Sequence, residues 1–248
     1  MNYSQIRYDV ADGICTITLN RPEKLNAFTG TMGDEIYAAF QAANASSDVK
    51  VIIVTGAGAA FCAGVDSQAM ADPQEALKVT TTKLLSHFPS ENYNNPKPTI
   101  CAINGAAIGV GVTMSLSFDL RVVEAGAKLA VPFAKLGMLP GVGSTYILPR
   151  MLGRGRALDI LLTSRSFTAE EAFQMGLVER VAPVGKTYET ARELALAMAR
   201  CDAKILADVK EMINYGSDAT HLAQAVENEG KSFARWRARR AKKWSAHS

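Results

Sequence analysis

Two short glycine-containing segments carry the strongest chemical signal in the sequence. One is Ala60–Asp66 (AFCAGVD) and the other is Asn104–Gly111 (NGAAIGVG); each follows an apolar run typical of a strand and precedes a stretch that predicts a helix. Backbone N–H groups in the first turn of a helix lack an acceptor within the helix, and the helix dipole favours negative charge there. The segments therefore predict a site where main-chain donors stabilise an anion or a developing negative charge.

The same glycines have two other interpretations. They can simply form tight turns, which is a common use of glycine. They can also bind a dinucleotide, but Gly105 to Gly111 reads GxxxGxG rather than GxGxxG. The spacing argues against dinucleotide binding and leaves the turn interpretation open.

Cysteine and histidine do not indicate a second kind of site. The cysteines form no CxxC pair and are scattered: Cys15, Cys62, Cys101 and Cys201. This spacing suits neither zinc nor a disulfide framework and indicates a reducing compartment, with Cys62 distinguished only by lying in a glycine segment. The histidines lie outside both segments: His87, His221 and His247. We expect surface histidines, with His87 the one to test as a base, and neither a metal nor a cofactor.

Composition indicates a soluble globular protein. The chain has 248 residues, of which 48% are hydrophobic and 21% charged, enough to build a sizeable core. It shows no signal-peptide pattern and no apolar run of the ~18 residues that cross a bilayer, so we expect a cytoplasmic protein. The net charge is +3, and seven Lys and Arg without an acid in residues 231–243 account for more than this excess. The basic character therefore belongs to the tail.

The local patterns predict strands and helices that alternate early, with helices dominating late. Strands are expected at 14–19, 49–54, 99–103 and 120–123, and helices at 33–44, 169–175, 187–215 and 218–240. Thr168 and Glu171 form a capping box, and Gly176 follows as a helix stop. Residues 86–98 are expected to form a mobile loop. We predict an α/β core over 1–195 and a helical C-terminal region over 196–248.

Seven motifs together resemble the crotonase (enoyl-CoA hydratase/isomerase) superfamily, in the family's order and spacing over nearly the whole chain. Besides the two glycine segments they are ITLNRPEKLNA (17–27), LGMLPG (136–141), LPRMLG (148–153), AEEA (169–172) and GLV (176–178). The resemblance implies a core of ββα units wound into a superhelix and an acyl-CoA thioester as substrate. It also implies a homotrimer, or a hexamer built from two trimers, with C-terminal helices crossing between subunits.

The resemblance also implies which residues form the site. Two backbone N–H groups, of Val65 and Val110, would hold the thioester carbonyl oxygen, as an oxyanion hole that stabilises an enolate. Val110 stands where the family usually has glycine, so its side chain is expected to narrow the acyl pocket. Lys24 matches a position near the CoA phosphates. The other members of the implied substrate-binding set are Ala27, Ala63, Asp66, Gly109, Thr113, Phe133 and Gly141. Asp66, like Asp119, is expected to be structural, as a carboxylate at a helix N-terminus.

The positions at which the family carries its acid and base are occupied by other residues. The two hydratase carboxylates correspond to Thr113 and Phe133, and the isomerase carboxylate corresponds to Gly141. Hydration needs a base for the water and an acid for the α-carbon, and neither Thr nor Phe supplies one. Ordinary hydratase activity is therefore not expected. Residues 131–137 (VPFAKLG) and 144–149 (STYILP) most resemble the isomerase-like branch, so the resemblance favours an isomerase over a hydratase.

Three other functions stay open. A decarboxylase or hydrolase of the same fold could use the oxyanion hole without the missing carboxylates. A non-catalytic acyl-CoA-binding relative would keep the fold and lose the chemistry. An RNA-binding relative could use the basic tail, where Trp236 and Trp244 interleave with Arg and Lys. Because the rest of the chain is acidic, we do not expect nucleic acid to be the main partner, and the tail also suits CoA phosphates.

Overall fold

The computed structural model describes residues 3–245. Within this range the strands are β1 Ile6–Ala11, β2 Ile14–Leu19, β3 Val51–Gly56, β4 Ala60–Cys62, β5 Thr99–Ile103, β6 Ala106–Ile108, β7 Leu120–Glu124, β8 Lys128–Ala130, β9 Ser166–Thr168 and β10 Arg180–Ala182. The helices are α1 Gly30–Ala45, α2 Ser67–Ala71, α3 Pro73–Thr81, α4 Lys83–Ser86, α5 Phe88–Tyr93, α6 Val110–Ser115, α7 Ser144–Leu152, α8 Arg154–Thr163, α9 Ala169–Met175, α10 Thr187–Ala199, α11 Ala203–Asp218 and α12 Leu222–Ser245.

The strands form two sheets that the chain visits in turn. The large sheet has the order β1-β2-β3-β5-β7-β10 and the small sheet has the order β4-β6-β8-β9. Each of β3, β5 and β7 is followed by a strand of the small sheet, and then by α2, by α6 or by a short 3-10 helix at Ala134–Leu136. This is the expected ββα superhelix, and the helical C-terminal region follows it.

The parallel strands of the large sheet contribute alternate side chains to two hydrophobic clusters, one on each face of the sheet. In β2, Cys15 and Ile17 belong to the main core with α1, whereas Ile14 lies in a second cluster. That second cluster includes Ala191 and Ala195 of α10, so α10 covers the other face. The predicted strands are confirmed, with 49–54 shifted to Val51–Gly56.

Two local predictions are wrong. The helix expected over 187–215 is interrupted at residues 200–202, because the Asp202 carboxylate accepts hydrogen bonds from the N–H groups of Lys204 and Ile205 and starts α11 anew. The loop expected over 86–98 contains α5. Phe88 of that helix is buried, and its ring packs 4.6 Å from the ring of Phe40, which anchors the segment to the core.

The N-cap by Thr168 and the stop at Gly176 are confirmed at α9, whereas the Glu171 side chain pairs with Arg165 rather than completing the capping box. The Thr168 hydroxyl accepts a hydrogen bond from the Glu171 N–H at 3.2 Å, and Gly176 ends the helix with a φ of 83°. The predicted division between 195 and 196 falls inside α10 and stays a prediction. Among the described helices, none combines the length and apolar character needed to cross a membrane.

Candidate active site

The two glycine segments, far apart in the sequence, lie side by side. Strands β4 and β6 pair in parallel, with Cys62 opposite Ala107, so the residues that follow each strand emerge at the same edge. A Cβ placed on Gly111 would lie 2.6 Å from the Cys62 carbonyl oxygen, and one on Gly64 would lie 3.3 Å from the Ile108 carbonyl oxygen. The segments approach so closely that a side chain at Gly111 does not fit without movement of the backbone.

Val65 is held in an isolated parallel bridge with Phe28. The Phe28 N–H donates to the Gly64 carbonyl at 2.7 Å, and the Asp66 N–H donates to the Phe28 carbonyl at 2.9 Å. In a parallel bridge of this type the flanking residues make both hydrogen bonds, so the N–H of the central residue points the other way. The N–H of half-buried Val65 is therefore directed away from Phe28.

Val110 is the first residue of α6. Gly109 precedes it with φ 55° and ψ −113°, a conformation outside the left-handed helical region, and the Gly109 N–H donates to the Ala130 carbonyl at 2.8 Å. The first acceptor of the helix is the Gly109 carbonyl, which binds the Thr113 N–H at 3.0 Å. The Val110 N–H lies ahead of any intrahelical acceptor, as first-turn groups do. The Val110 side chain is buried.

Asp66 is structural, as predicted. Its carboxylate accepts hydrogen bonds from the N–H groups of Gln68 at 2.9 Å and Ala69 at 3.3 Å, which caps α2. It also pairs with the Arg21 guanidinium at 3.0 Å. Burial by itself raises the pKa of this carboxyl, but the hydrogen bonds from Arg21 and the two N–H groups outweigh burial, and the pKa ends below its ordinary value. Asp66 is therefore an ionised cap rather than a base.

Arg21 is a residue that the sequence patterns did not single out as part of the site. Its Nη1 donates to the Ala27 carbonyl at 2.6 Å while its Nη2 pairs with Asp66, so it joins two of the predicted segments. Its sequence signals are its place in the motif over 17–27 and its position before Pro22, and neither indicates its partner. A partner 45 positions away leaves no local pattern.

Two buried hydroxyl groups stand out next to this region. Thr113 and Ser144 are fully buried, and neither hydroxyl has a hydrogen-bond partner among residues 3–245. Buried polar groups are normally paired, so each such group calls for a water or a ligand group. Phe133 is also buried, and its ring is close to Gly109, since a Cβ there would lie 3.8 Å from Phe133 Cε1.

The remaining predicted residues lie at the rim. Lys24 is exposed at the end of a 3-10 helix, Pro22–Lys24, and the Ala63 N–H donates to the Leu25 carbonyl at 3.0 Å, which places this turn beside the first glycine segment. Gly141 is exposed, and a Cβ there would meet nothing within 4 Å. The turn it starts leads into α7, and the Ser144 N–H donates back to the Gly141 carbonyl at 3.1 Å.

A cavity adjoins this turn. It has a volume of about 380 Å³ and lies between Gly143 and Ile147 on one side and α4 and α5 on the other. Leu85, Pro89 and Ile147 supply apolar walls, and Tyr146 and Asp218 supply polar ones. The Tyr146 hydroxyl donates to the Asp218 carboxylate.

The other candidate groups have structural roles or lie at the surface. The Asp119 carboxylate accepts hydrogen bonds from the Thr99 N–H at 2.7 Å and from Lys210 at 2.9 Å, which joins α11 to the core. Cys62 is fully buried, and burial raises the pKa of its thiol to about 11, so it is a poor nucleophile. His87 is exposed beside the Ser86 hydroxyl, His221 is also exposed, and His247 lies outside the described residues.

The basic tail is partly neutralised within the chain. Arg235 pairs with Glu211 at 2.9 Å, Arg239 pairs with Asp208, and both partners belong to α11. Arg240 stacks on the ring of Trp236, with 5.2 Å between the guanidinium carbon and the ring centroid. The side chain of Trp244 lies outside the described part of the molecule. These pairs explain why α12 packs along α11 despite its charge.

Comparisons with known proteins agree with this architecture. The family model described as enoyl-CoA hydratase/isomerase matches residues 9–247. The chain is 33% identical over 209 residues to the 1,2-epoxyphenylacetyl-CoA isomerase of Escherichia coli (strain K12), covering 83% of this chain and 80% of that protein. It is 36% identical over 221 residues to an enoyl-CoA hydratase of Alternaria alternata, covering 87% and 75%.

A solved structure shares the fold along almost its full length. The enoyl-CoA hydratase of Bacillus anthracis matches with a TM-score of 0.86 at 30% identity, and the match covers 98% of this chain and 97% of that one. The seven sequence motifs, the ββα superhelix and these matches all indicate the same family. The chain belongs to the enoyl-CoA hydratase/isomerase family of the crotonase superfamily.

Proposed function

We propose that this protein is an acyl-CoA enzyme that holds the thioester carbonyl oxygen between the backbone N–H groups of Val65 and Val110. The observation that carries the proposal is the meeting of the two glycine segments, with the Val65 N–H turned away from its bridge and the Val110 N–H opening α6. An enolate or tetrahedral intermediate places negative charge on that oxygen. Preorganised donors stabilise such charge, and losing one typically costs about 3–4 kcal/mol of transition-state stabilisation.

Within this family we propose an isomerase rather than a hydratase, because residues 131–137 and 144–149 resemble the isomerase-like branch. Gly141 supplies no carboxylate, so water would take the proton from C2 of the thioester and a proton would return at C4. Thr113 and Phe133 stand at the positions that the resemblance assigns to the hydratase acid and base, and neither side chain can act as a carboxylate. A relative that is itself named as an acyl-CoA isomerase is in keeping with this choice.

The same substitutions favour a second candidate, decarboxylation. When a malonyl-type thioester loses CO2, the electron pair of the broken C–C bond forms an enolate without any base, and two backbone donors suffice to stabilise it. Water then protonates the α-carbon. Hydrolysis of an activated acyl group belongs to the same class, because its tetrahedral intermediate also needs only oxyanion stabilisation and water.

A panel of thioesters separates these candidates. Purified protein is incubated with 2-enoyl-, 3-enoyl- and malonyl-type CoA thioesters, and products are separated by liquid chromatography. We expect conversion of 3-enoyl to 2-enoyl thioesters and little hydration of the 2-enoyl ones. Turnover of none of them, with CoA affinity retained, would refute an enzyme and favour a non-catalytic acyl-CoA-binding protein.

Gly141→Glu tests the alignment of the site. The position is exposed and has open space for a side chain, so the variant should fold normally. Restoring the carboxylate that the isomerase branch carries here should raise the rate of 3-enoyl to 2-enoyl conversion, about 10²-fold or more for a correctly placed base. Gly155→Glu in α8, equally open, is the matched control. An unchanged rate in folded Gly141→Glu would show that Gly141 does not face the acyl group.

We further propose a cytoplasmic homotrimer, or a hexamer of two trimers, that needs no cofactor and binds CoA phosphates with Lys24. Exposed apolar side chains support self-association: Leu139 is 90% exposed, and Leu136 and Leu162 are also largely uncovered. Apolar side chains exposed on a single subunit commonly mark protein contacts.

A further inference from the structure

The Arg21 guanidinium holds two strands of the candidate site at once. Nη1 donates to the Ala27 carbonyl at 2.6 Å, and Nη2 pairs with the Asp66 carboxylate at 3.0 Å. Both charged side chains are largely shielded from water, with 17% of Arg21 and 9% of Asp66 exposed. Charge-assisted hydrogen bonds in such an environment fix geometry more firmly than exposed pairs do.

These contacts enclose the bridge that orients Val65. Ala27 directly precedes Phe28, and Asp66 directly follows Val65. The Arg21 guanidinium therefore contacts both segments immediately next to the bridged pair. The second carboxylate oxygen of Asp66 meanwhile caps α2 through Gln68 and Ala69. Rotation of the Val65 peptide would have to break the bridge, the cap or the ion pair.

We infer that Arg21 is a positioning residue that fixes the direction of the Val65 N–H toward the thioester oxygen. This inference rests on the proposed function, because it assigns Arg21 a purpose only if that N–H binds the carbonyl. The Arg21 guanidinium contacts Ala27 and Asp66, so it is assigned a positioning role rather than a catalytic one. Arg21 acts through Asp66 and Ala27. Its removal should therefore weaken the polarisation of the bound thioester carbonyl and leave the affinity for CoA unchanged.

A second ion pair provides a matched control. Lys210 and Asp119 lie 2.9 Å apart with 10% and 27% exposure, and they join α11 to the core. Their geometry and burial resemble those of Arg21 and Asp66, but they adjoin neither glycine segment. Lys210→Met should therefore lower the free energy of unfolding by a comparable amount, while the stretching frequency of the bound thioester carbonyl stays unchanged.

The test is infrared difference spectroscopy of acetyl-CoA labelled with carbon-13 at its carbonyl, bound to the full-length protein. In the unaltered protein the carbonyl stretch should fall to lower frequency than in water. In Arg21→Met that fall should be largely lost, and the preference for acetyl-CoA over CoA should drop about fivefold, the worth of one neutral hydrogen bond. Arg21→Lys should recover part of the decrease in carbonyl frequency, because it restores the positive charge. Lys210→Met should show the same decrease as the unaltered protein.

The outcomes separate the inference from the proposed function. No lowered frequency in the unaltered protein would overturn the proposed function itself. A lowered frequency that persists in folded Arg21→Met would overturn the inference alone. If Arg21→Met does not fold, Asp66→Asn decides, because Asn keeps a helix cap but loses the ion pair. A full carbonyl shift in Asp66→Asn would overturn the inference, and a reduced one would support it.

Discussion

Gly109→Ala is the sharpest test of how the second glycine segment works. Gly109 has φ 55° and ψ −113°, which is neither right-handed nor left-handed helix, and it directly precedes Val110. An added Cβ would lie 3.8 Å from Phe133 Cε1, an ordinary contact, so the substitution introduces no clash. Its cost is therefore conformational and can be worked out separately from packing.

The expected magnitude follows from backbone strain. An L-residue in the left-handed helical region costs roughly 1–2 kcal/mol, and sparsely populated regions of this kind cost of order 1–3 kcal/mol. We expect Gly109→Ala to lower the free energy of unfolding by about 2–3 kcal/mol. For a chain of this size that lowers Tm by about 4–12 °C. If the backbone instead relaxes, the Val110 N–H moves and thioester turnover falls about 10²-fold.

The assay combines urea unfolding with turnover of the thioester found active in the panel. Gly137→Ala is the control, because Gly137 has φ 67° and ψ 25° and open space around it, which is the milder left-handed conformation. It should cost about 1 kcal/mol and leave turnover unchanged. The reasoning is refuted if Gly109→Ala matches Gly137→Ala in both stability and turnover, since the Gly109 conformation would then carry neither strain nor function.

The pKa of Asp66 is lowered in the folded protein, so its ionised form stabilises the fold above the ordinary Asp pKa of about 4. This contribution is lost as the pH falls through the lower folded pKa. In urea unfolding, the stability advantage over Asp66→Asn should therefore shrink between about pH 5 and about pH 2, and a constant advantage would contradict the prediction. At about pH 8, a thiol reagent should modify Cys201 alone in the native protein, because the other three cysteines are buried, and all four after denaturation. Rapid labelling of Cys62 in the native protein would be inconsistent with the raised pKa of its thiol. Leu139→Asp should reduce the assembly measured by sedimentation, and unchanged assembly in the folded variant would place the subunit contacts elsewhere.

Local patterns accounted for much of the fold. The alternation along Ile14–Leu19 and the capping box at Thr168 each predicted an element that the structure contains, because strand alternation and helix capping depend on neighbours a few positions apart. Local patterns failed where a tertiary or capping interaction prevailed. Asp202 interrupts a run that is otherwise helical, and Phe88 folds into the core from a segment that reads as loop.

By itself, the sequence determined the family, because the order and spacing of its motifs are written along the chain, and local periodicity predicted four strands of the large sheet. The assignment of the Val65 and Val110 N–H groups to a thioester oxygen stays a prediction from that resemblance. Only the tertiary structure decided that β4 lies against β6, that Arg21 joins Asp66 to Ala27, and that the Thr113 hydroxyl is buried without a partner among the described residues. The physical reason is distance along the chain. Contacts between residues 45 positions apart, such as Arg21 and Asp66, depend on how the sheets stack rather than on any neighbouring residue type.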